Sequence, residues 1–307
     1  MVGANSTEAV NRSNREVRQP PHSVANRVYN FDAHRRIRGK ELLDMTWRTS
    51  TGLAIGAVAT TAILMPYIVS AQRAEIVTWT IDGQKREAIV YPPSKPTSGK
   101  VPLVFSFHGY GDSVQSFQHT DLHLAWPEAV VAYVQALPRR GSGPPWWQVE
   151  KGQDDDRDLK MIDVAVKSLR ERFNVDDTRT YATGFSNGGS FTYLLWAERP
   201  GVFAAFAPVA AKLFPSVRPT PPGRPLFHIA GSRDMTAVFA DQQDAIKMAS
   251  QVNGVADLRA ACGEGCTIYG AASVSPVMAW IHSGGHEYPP TTAERIAKFF
   301  REHPRRP

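Results

Sequence analysis

A serine hydroxyl becomes a nucleophile only when a base takes its proton, and that base needs an acid to orient it. Ser186 lies in Gly184-Phe185-Ser186-Asn187-Gly188, a Gly-x-Ser-x-Gly pentapeptide. An apolar run, "TRTYATGF", precedes it and a helix-like run, "GGSFTYLLWAERP", follows. In that setting the pattern reads as a sharp strand-to-helix turn, with small flanking residues avoiding clashes and the hydroxyl projecting above the strand end. The N–H of Asn187, at the helix start, is placed to hold a developing oxyanion. A second donor is expected from His108-Gly109-Tyr110-Gly111, directly after the apolar run Val101–Phe107: the N–H of Tyr110, with Gly109 as the alternative. His108 is expected to orient this loop.

The partners follow in the order serine, acid, histidine. Asp234 comes after the apolar run "PLFHIAG", where the acid belongs, whereas Asp241 and Asp244 fall at a helix start. His286 follows "VMAWIHS" and the pair Gly284-Gly285; its rival His282 falls within that run. Trp146, Trp147 and Tyr288 are the aromatic residues expected to line a substrate cleft, with burial against the body as the alternative for each tryptophan.

The elements needed to hold these residues are written in the hydrophobic pattern. "EIVTWTIDGQKREAIVY" alternates around Asp82-Gly83 and predicts a β-hairpin. "VPLVFSF" and "AVVAYVQA" are near-continuous apolar runs, as in strands buried on both faces. In "RDLKMIDVAVKSLRERF", Leu159, Ile162, Val166 and Leu169 recur at helical spacing. "FAAFAPVAA" predicts another strand, and "DQQDAIKMASQV" and "TTAERIAKFFREH" predict helices. Strands alternating with helices imply a mostly parallel central sheet with helices on both faces.

The motifs "HGYGDS", "RTYATGFSNGG", "AGSRD" and "GGHEYP" resemble the polyhydroxybutyrate depolymerase and feruloyl esterase group of α/β-hydrolases, over roughly Glu75 to the C-terminus. The resemblance implies an α/β-hydrolase fold and carboxylic-ester hydrolysis, with Ser186 as nucleophile, Asp234 as acid and His286 as base. "DRDLKMID" matches a further segment of that group, where Asp158 is expected to be structural. Two departures touch substrate fit: Tyr288 stands where members often have Trp, and Ala230-Gly231-Ser232-Arg233-Asp234 keeps the acid's spacing without a histidine. Rival readings are a peptidase resembling the prolyl oligopeptidase group and a catalytically silent binding protein on the same fold.

Nothing in the sequence calls for a metal or an organic cofactor. The net charge of +6 is concentrated at the front, since residues 1–50 hold nine Lys/Arg against five Asp/Glu. No recognition motif accompanies it, so nucleic acid is not an expected partner. The expected partner is a small-molecule or oligomeric ester, and the expected state a monomer.

Residues 1–50 are polar and read as a disordered tail. Thr51 to Ala71 carries no charge and follows Arg35, Arg36, Arg38, Lys40 and Arg48. Segments 51–71 are therefore expected to act as a signal peptide, cut before Gln72, or as a retained membrane anchor. Met45 would be the start of a conventional signal peptide. Residues 73–307 are the expected catalytic domain, placed outside the cytoplasm. There Cys262 and Cys266 could close a small disulfide loop, the alternative being two free thiols.

Overall fold

The computed structural model describes residues 73–95, 98–139 and 142–306. The expectations for residues 1–50, segment 51–71, Met45 and the cut before Gln72 lie outside them. Among the described residues no helix is long and apolar enough to cross a membrane.

The hairpin comes first. β1 (Glu75–Ile81) and β2 (Gln84–Tyr91) pair antiparallel, with Ile81 opposite Gln84. Asp82 and Gly83 between them both have positive φ, 49° and 74°, the geometry of a two-residue turn whose twist matches the strands. β2 then pairs antiparallel with β4 (Val130–Val134). From β4 inward the sheet is parallel, through β3 (Val101–Phe107), β5 (Val175–Phe185), β6 (Ala205–Val209), β7 (Leu226–Gly231) and β10 (Val277–His282). β9 (Cys266–Tyr269) and β8 (Arg259–Gly263) add antiparallel at the far edge, giving the order β1-β2-β4-β3-β5-β6-β7-β10-β9-β8. β3 is buried at every position, which is why it reads as an unbroken apolar run.

Helices cover both faces. Leu159, Met161, Ile162 and Leu169 of α3 (Arg157–Phe173), Phe191 and Leu195 of α4 (Asn187–Glu198), and Ala245 and Ile246 of α5 (Phe239–Val252) share one core layer. The short helices α1 (Val114–Phe117) and α2 (Leu122–Ala125), with α6 (Thr292–Glu302), build the other. α4 is buried from Gly188 to Trp196, so it presents no solvent-facing polar stripe; its Ser190 and Thr192 hydroxyls donate to Lys212 O and Gly188 O at 2.9 Å.

Two differences from the sequence reading have clear causes. β5 starts at Val175, three residues early, because Val101 pairs with Val175 across an irregularity in the ladder. The β8–β9 hairpin carries no strand signal, because all five β8 residues are exposed at the edge and no face of it needs to be apolar. Cys262 and Cys266 are joined by a disulfide that closes this hairpin.

Candidate active site

β5 ends at Phe185 and α4 begins at Asn187, so Ser186 alone makes the turn. Its backbone sits at φ 55° and ψ −117°, a conformation that L residues rarely adopt and that costs on the order of 1–3 kcal/mol. The turn is held by the Ser186 N–H donating to Val209 O at 2.9 Å. It also needs Gly188. A β-carbon there would lie 2.5 Å from His108 O and 2.7 Å from Phe107 C, both backbone atoms that cannot rotate aside. The start of α4 therefore rests directly on the loop after β3.

Ser186, His286 and Asp234 are within hydrogen-bond reach of one another, although they lie on three separate loops. The Ser186 hydroxyl is 2.8 Å from His286 Nε2. His286 Nδ1 is 2.8 Å from Asp234 Oδ2. A carboxylate only accepts, so Nδ1 carries the proton and Nε2 is free to take one from the serine. Asp234 is 1% exposed. Its Oδ1 accepts the N–H groups of Thr236 at 2.8 Å and Ala237 at 2.9 Å, which leaves Oδ2 facing His286. Oδ2 also accepts from the Gln242 amide at 3.0 Å. The His286 ring lies 4.9 Å from the Phe185 ring, which backs it from the residue before the serine.

The rivals lie elsewhere. Asp241 and Asp244 are exposed on α5. His282 accepts the Gly284 N–H at Nδ1, 3.1 Å away, and so props the loop that carries His286. Burial lowers its pKa, which favours the neutral ring that this bond requires.

The loop after β3 is fixed by His108, which is fully buried. Its Nε2 accepts the Ala136 N–H at 3.1 Å, so its proton must be on Nδ1, which donates to Gly109 O at 2.7 Å. Burial depresses the His108 pKa and keeps the ring neutral. With the Gly109 carbonyl held toward His108, the trans peptide turns the Tyr110 N–H the opposite way. A β-carbon on Gly109 would sit 3.6 Å from Ser186 Cβ, so this peptide lies beside the serine. Among the described residues neither the Tyr110 N–H nor the Asn187 N–H has a protein acceptor. The Tyr110 side chain is 60% exposed.

The tryptophan pair divides. Trp147 does not line a cleft, contrary to expectation. Its side chain is fully buried, stacked on Phe191 at 5.2 Å, with its indole N–H donating to His108 O at 3.0 Å. It supports the loop from behind. Trp146 is half-buried; its indole donates to Asp154 at 3.1 Å and the Arg139 guanidinium lies 4.8 Å over its ring. Tyr288 is half-buried and packs edge-on against Phe117 and Phe185. One positioning group carries no sequence signal. The Asn187 side chain accepts the Trp147 N–H at 2.7 Å and donates to Trp147 O at 3.0 Å, clamping the loop before α3 onto the start of α4.

A buried ion pair completes the surroundings. Asp158 accepts from Arg86 at 2.7 Å and from the Gln148 N–H at 2.9 Å, with both charged side chains at 1% exposure or less. It ties α3 to β2. No cluster of His, Cys, Asp and Glu suited to a metal ion occurs among the described residues.

A six-stranded parallel core, a serine at the sharp turn after its β5 strand, and an acid and a histidine beyond the ends of β7 and β10 make one known arrangement. The chain has the α/β-hydrolase fold. The acetyl xylan esterase of Aspergillus awamori superposes with a TM-score of 0.56 at 16% identity, covering 75% of this chain and 99% of that one. No family model matches the sequence. It is similar to esterases of this fold group. A bifunctional acetylxylan esterase/xylanase of Neocallimastix patriciarum is 29% identical over 153 residues, half of this chain and 22% of the relative. Feruloyl esterase B of Piromyces equi is 27% identical over 164 residues, again half of this chain and 30% of the relative. The matched part of this chain thus spans less than a third of either relative.

Proposed function

We propose that the chain is a serine esterase that hydrolyses carboxylic esters through an acyl-enzyme. The observation that carries this is the unbroken relay from Ser186 through His286 to Asp234, with 2.8 Å at both steps. The esterase names of the similar proteins support the bond type.

In this reading His286 Nε2 takes the Ser186 proton as Oγ attacks the ester carbonyl. The carbonyl oxygen becomes an oxyanion, and the N–H groups of Asn187 and Tyr110 donate to it. Both are backbone groups locked by packing, so little reorganisation accompanies the charge. Asp234 keeps the proton of His286 on Nδ1 and stabilises the imidazolium. The imidazolium then protonates the leaving alcohol. Water enters, gives a proton to His286 and attacks the acyl-enzyme, and the acid leaves as Ser186 is restored.

The substrates proposed are small or oligomeric esters of the hydroxybutyrate-oligomer or feruloyl type, with Trp146 and Tyr288 as the aromatic contacts. The place of action is outside the cytoplasm, secreted or held at a membrane by residues 51–71. The Cys262–Cys266 bridge supports this, because disulfides persist in oxidising compartments.

The test uses the full-length protein and Ser186→Ala on p-nitrophenyl acyl esters, methyl hydroxycinnamates, hydroxybutyrate oligomers and a proline-containing peptide amide. Ester turnover that disappears in the variant is the expected result. Turnover of the amide alone would replace the esterase with a peptidase. No turnover by folded wild-type protein, with Ser186 unlabelled by a fluorophosphonate, would point to a binding protein.

A further inference from the structure

We propose that Gln242 is a positioning residue, which aims the Asp234 carboxylate through a one-way hydrogen-bond chain running from Tyr193 through His228 to Gln242. The inference rests on the serine-esterase reading and deepens it.

The direction of the chain follows from the partners. Gln242 is fully buried in α5. Its amide nitrogen donates to Asp234 Oδ2 at 3.0 Å and to Ala237 O at 2.5 Å. Both of those atoms can only accept, so the amide cannot be flipped. Its oxygen then faces His228 Nε2 at 3.0 Å, which must carry a proton. His228 Nδ1 is therefore the bare nitrogen, and the Tyr193 hydroxyl donates to it at 2.7 Å. Every group has one permitted orientation.

All four side chains are at 1% exposure or less, so water offers no substitute partners. Burial holds the chain in one protonation state: it lowers the His228 pKa to about 4 and pushes the Tyr193 hydroxyl up. The chain also links three elements of the site. Tyr193 lies on α4, which starts at the serine; His228 lies on β7, which leads to the acid; Gln242 lies on α5, which follows it. With Gln242 in place Asp234 accepts four donors: Thr236 and Ala237 N–H at Oδ1, and His286 and Gln242 at Oδ2. Without the amide, Oδ2 keeps only His286.

Asp234 acts on His228 from β7 and on His282 from β10; along the chain Arg233 precedes Asp234 and Glu287 follows His286, with the Glu287 carboxylate 3.5 Å from His282 Nδ1. With one donor fewer, the Asp234 charge is less neutralised and holds the imidazolium of His286 more tightly. The imidazolium that forms on His286 during turnover is then held more strongly, and the acid limb of kcat/KM moves upward.

The experiment compares wild type, Gln242→Met and Tyr193→Phe by steady-state kinetics on p-nitrophenyl acetate from pH 5 to 9, with thermal unfolding of each. Fluorophosphonate labelling of wild-type Ser186 is read first; unlabelled wild type overturns the esterase reading and this inference with it. Given labelling, Gln242→Met is expected to lower kcat about tenfold, the rate equivalent of one hydrogen bond to a charged group, with KM within about twofold and the acid limb raised. Tyr193→Phe, two links away, is expected to change kcat and the acid limb in the same direction but by less. If both variants lose only thermal stability while kcat and the acid limb stay at wild-type values, the chain is mere packing and the inference fails. If Gln242→Met does not fold, Tyr193→Phe decides alone: wild-type kcat and an unmoved acid limb overturn the proposal.

Discussion

Gly188→Ala sets two effects in opposition, and the distances decide between them. Alanine is favoured over glycine within a helix by about 1 kcal/mol, and Gly188 is the second residue of α4. Propensity alone therefore predicts a more stable protein. The added β-carbon, however, would lie 2.5 Å from His108 O, with the Phe107 carbonyl also too close, whereas ordinary contacts begin at 3.4 Å. Relief requires the start of α4 and the loop after β3 to separate by about 1 Å, and a displacement of that size in a reacting array costs on the order of a hundredfold in rate. The separation falls between the two proposed oxyanion donors, since Asn187 N–H is on one side and Tyr110 N–H on the other. His108 cannot yield freely, because both of its ring nitrogens are engaged and Trp147 holds its carbonyl. The expected result is a kcat on p-nitrophenyl acetate lowered by about a hundredfold, a stability loss of about 1–3 kcal/mol from the forced packing, and a smaller effect on KM. Steady-state kinetics and urea unfolding measure all three. Wild-type kcat together with equal or greater stability would show that α4 and the loop can part without consequence. A rigid, packed oxyanion site would then be excluded.

Other perturbations probe separate parts of the molecule. His228 has its folded pKa lowered by burial to about 4, below its unfolded value, so the unfolded state binds more protons between roughly pH 6.5 and 4. The stability associated with neutral His228 is complete above pH 6.5 and is lost as pH falls toward 4, by about 3 kcal/mol. Urea unfolding across that range should show the decline, and a flat profile would refute it. Asp158→Ala leaves Arg86 buried without its partner and should cost about 3–5 kcal/mol, read from the urea midpoint; a loss under about 1 kcal/mol would mean that water or another acceptor reaches Arg86. The double variant Cys262→Ser with Cys266→Ser opens a loop of sequence separation 4, so chain entropy predicts a loss of about 2 kcal/mol. Thermal unfolding with and without reductant measures it, and Ser186 kinetics should be little changed.

What the sequence discloses about this site depends on how local each constraint is. Gly184 is crowded first by the backbone of Gly188, four residues on in the same turn, so the need for a small residue there falls within one short pentapeptide and can be read without a fold; Gly188 is crowded by Phe107 and His108 at the end of β3, and is legible only because it completes that pentapeptide. Asp234 is separable from Asp241 and Asp244 for a similar reason: it follows an apolar run directly, whereas the others belong to a helical period. His286 is separable from His282 because the two differ in position relative to the end of β10. The alternation of apolar runs reports the parallel sheet, since strands buried on both faces have no freedom to be polar. Burial of a loop side chain is another matter. Trp147 is buried because Phe191, far along the chain, offers a parallel face at 5.2 Å, and nothing in "GPPWWQVE" distinguishes it from its half-exposed neighbour Trp146. The same holds for Asn187 and Gln242. Their amides are used because they can donate and accept at once across a gap between elements, a property that any Asn or Gln has in any context. Steric necessity restricts residue type and so leaves a trace in one sequence. Polar complementarity between distant elements restricts only position, and position becomes visible when α5 is laid against the loop of Asp234 and Gln242 is found with its amide on the carboxylate.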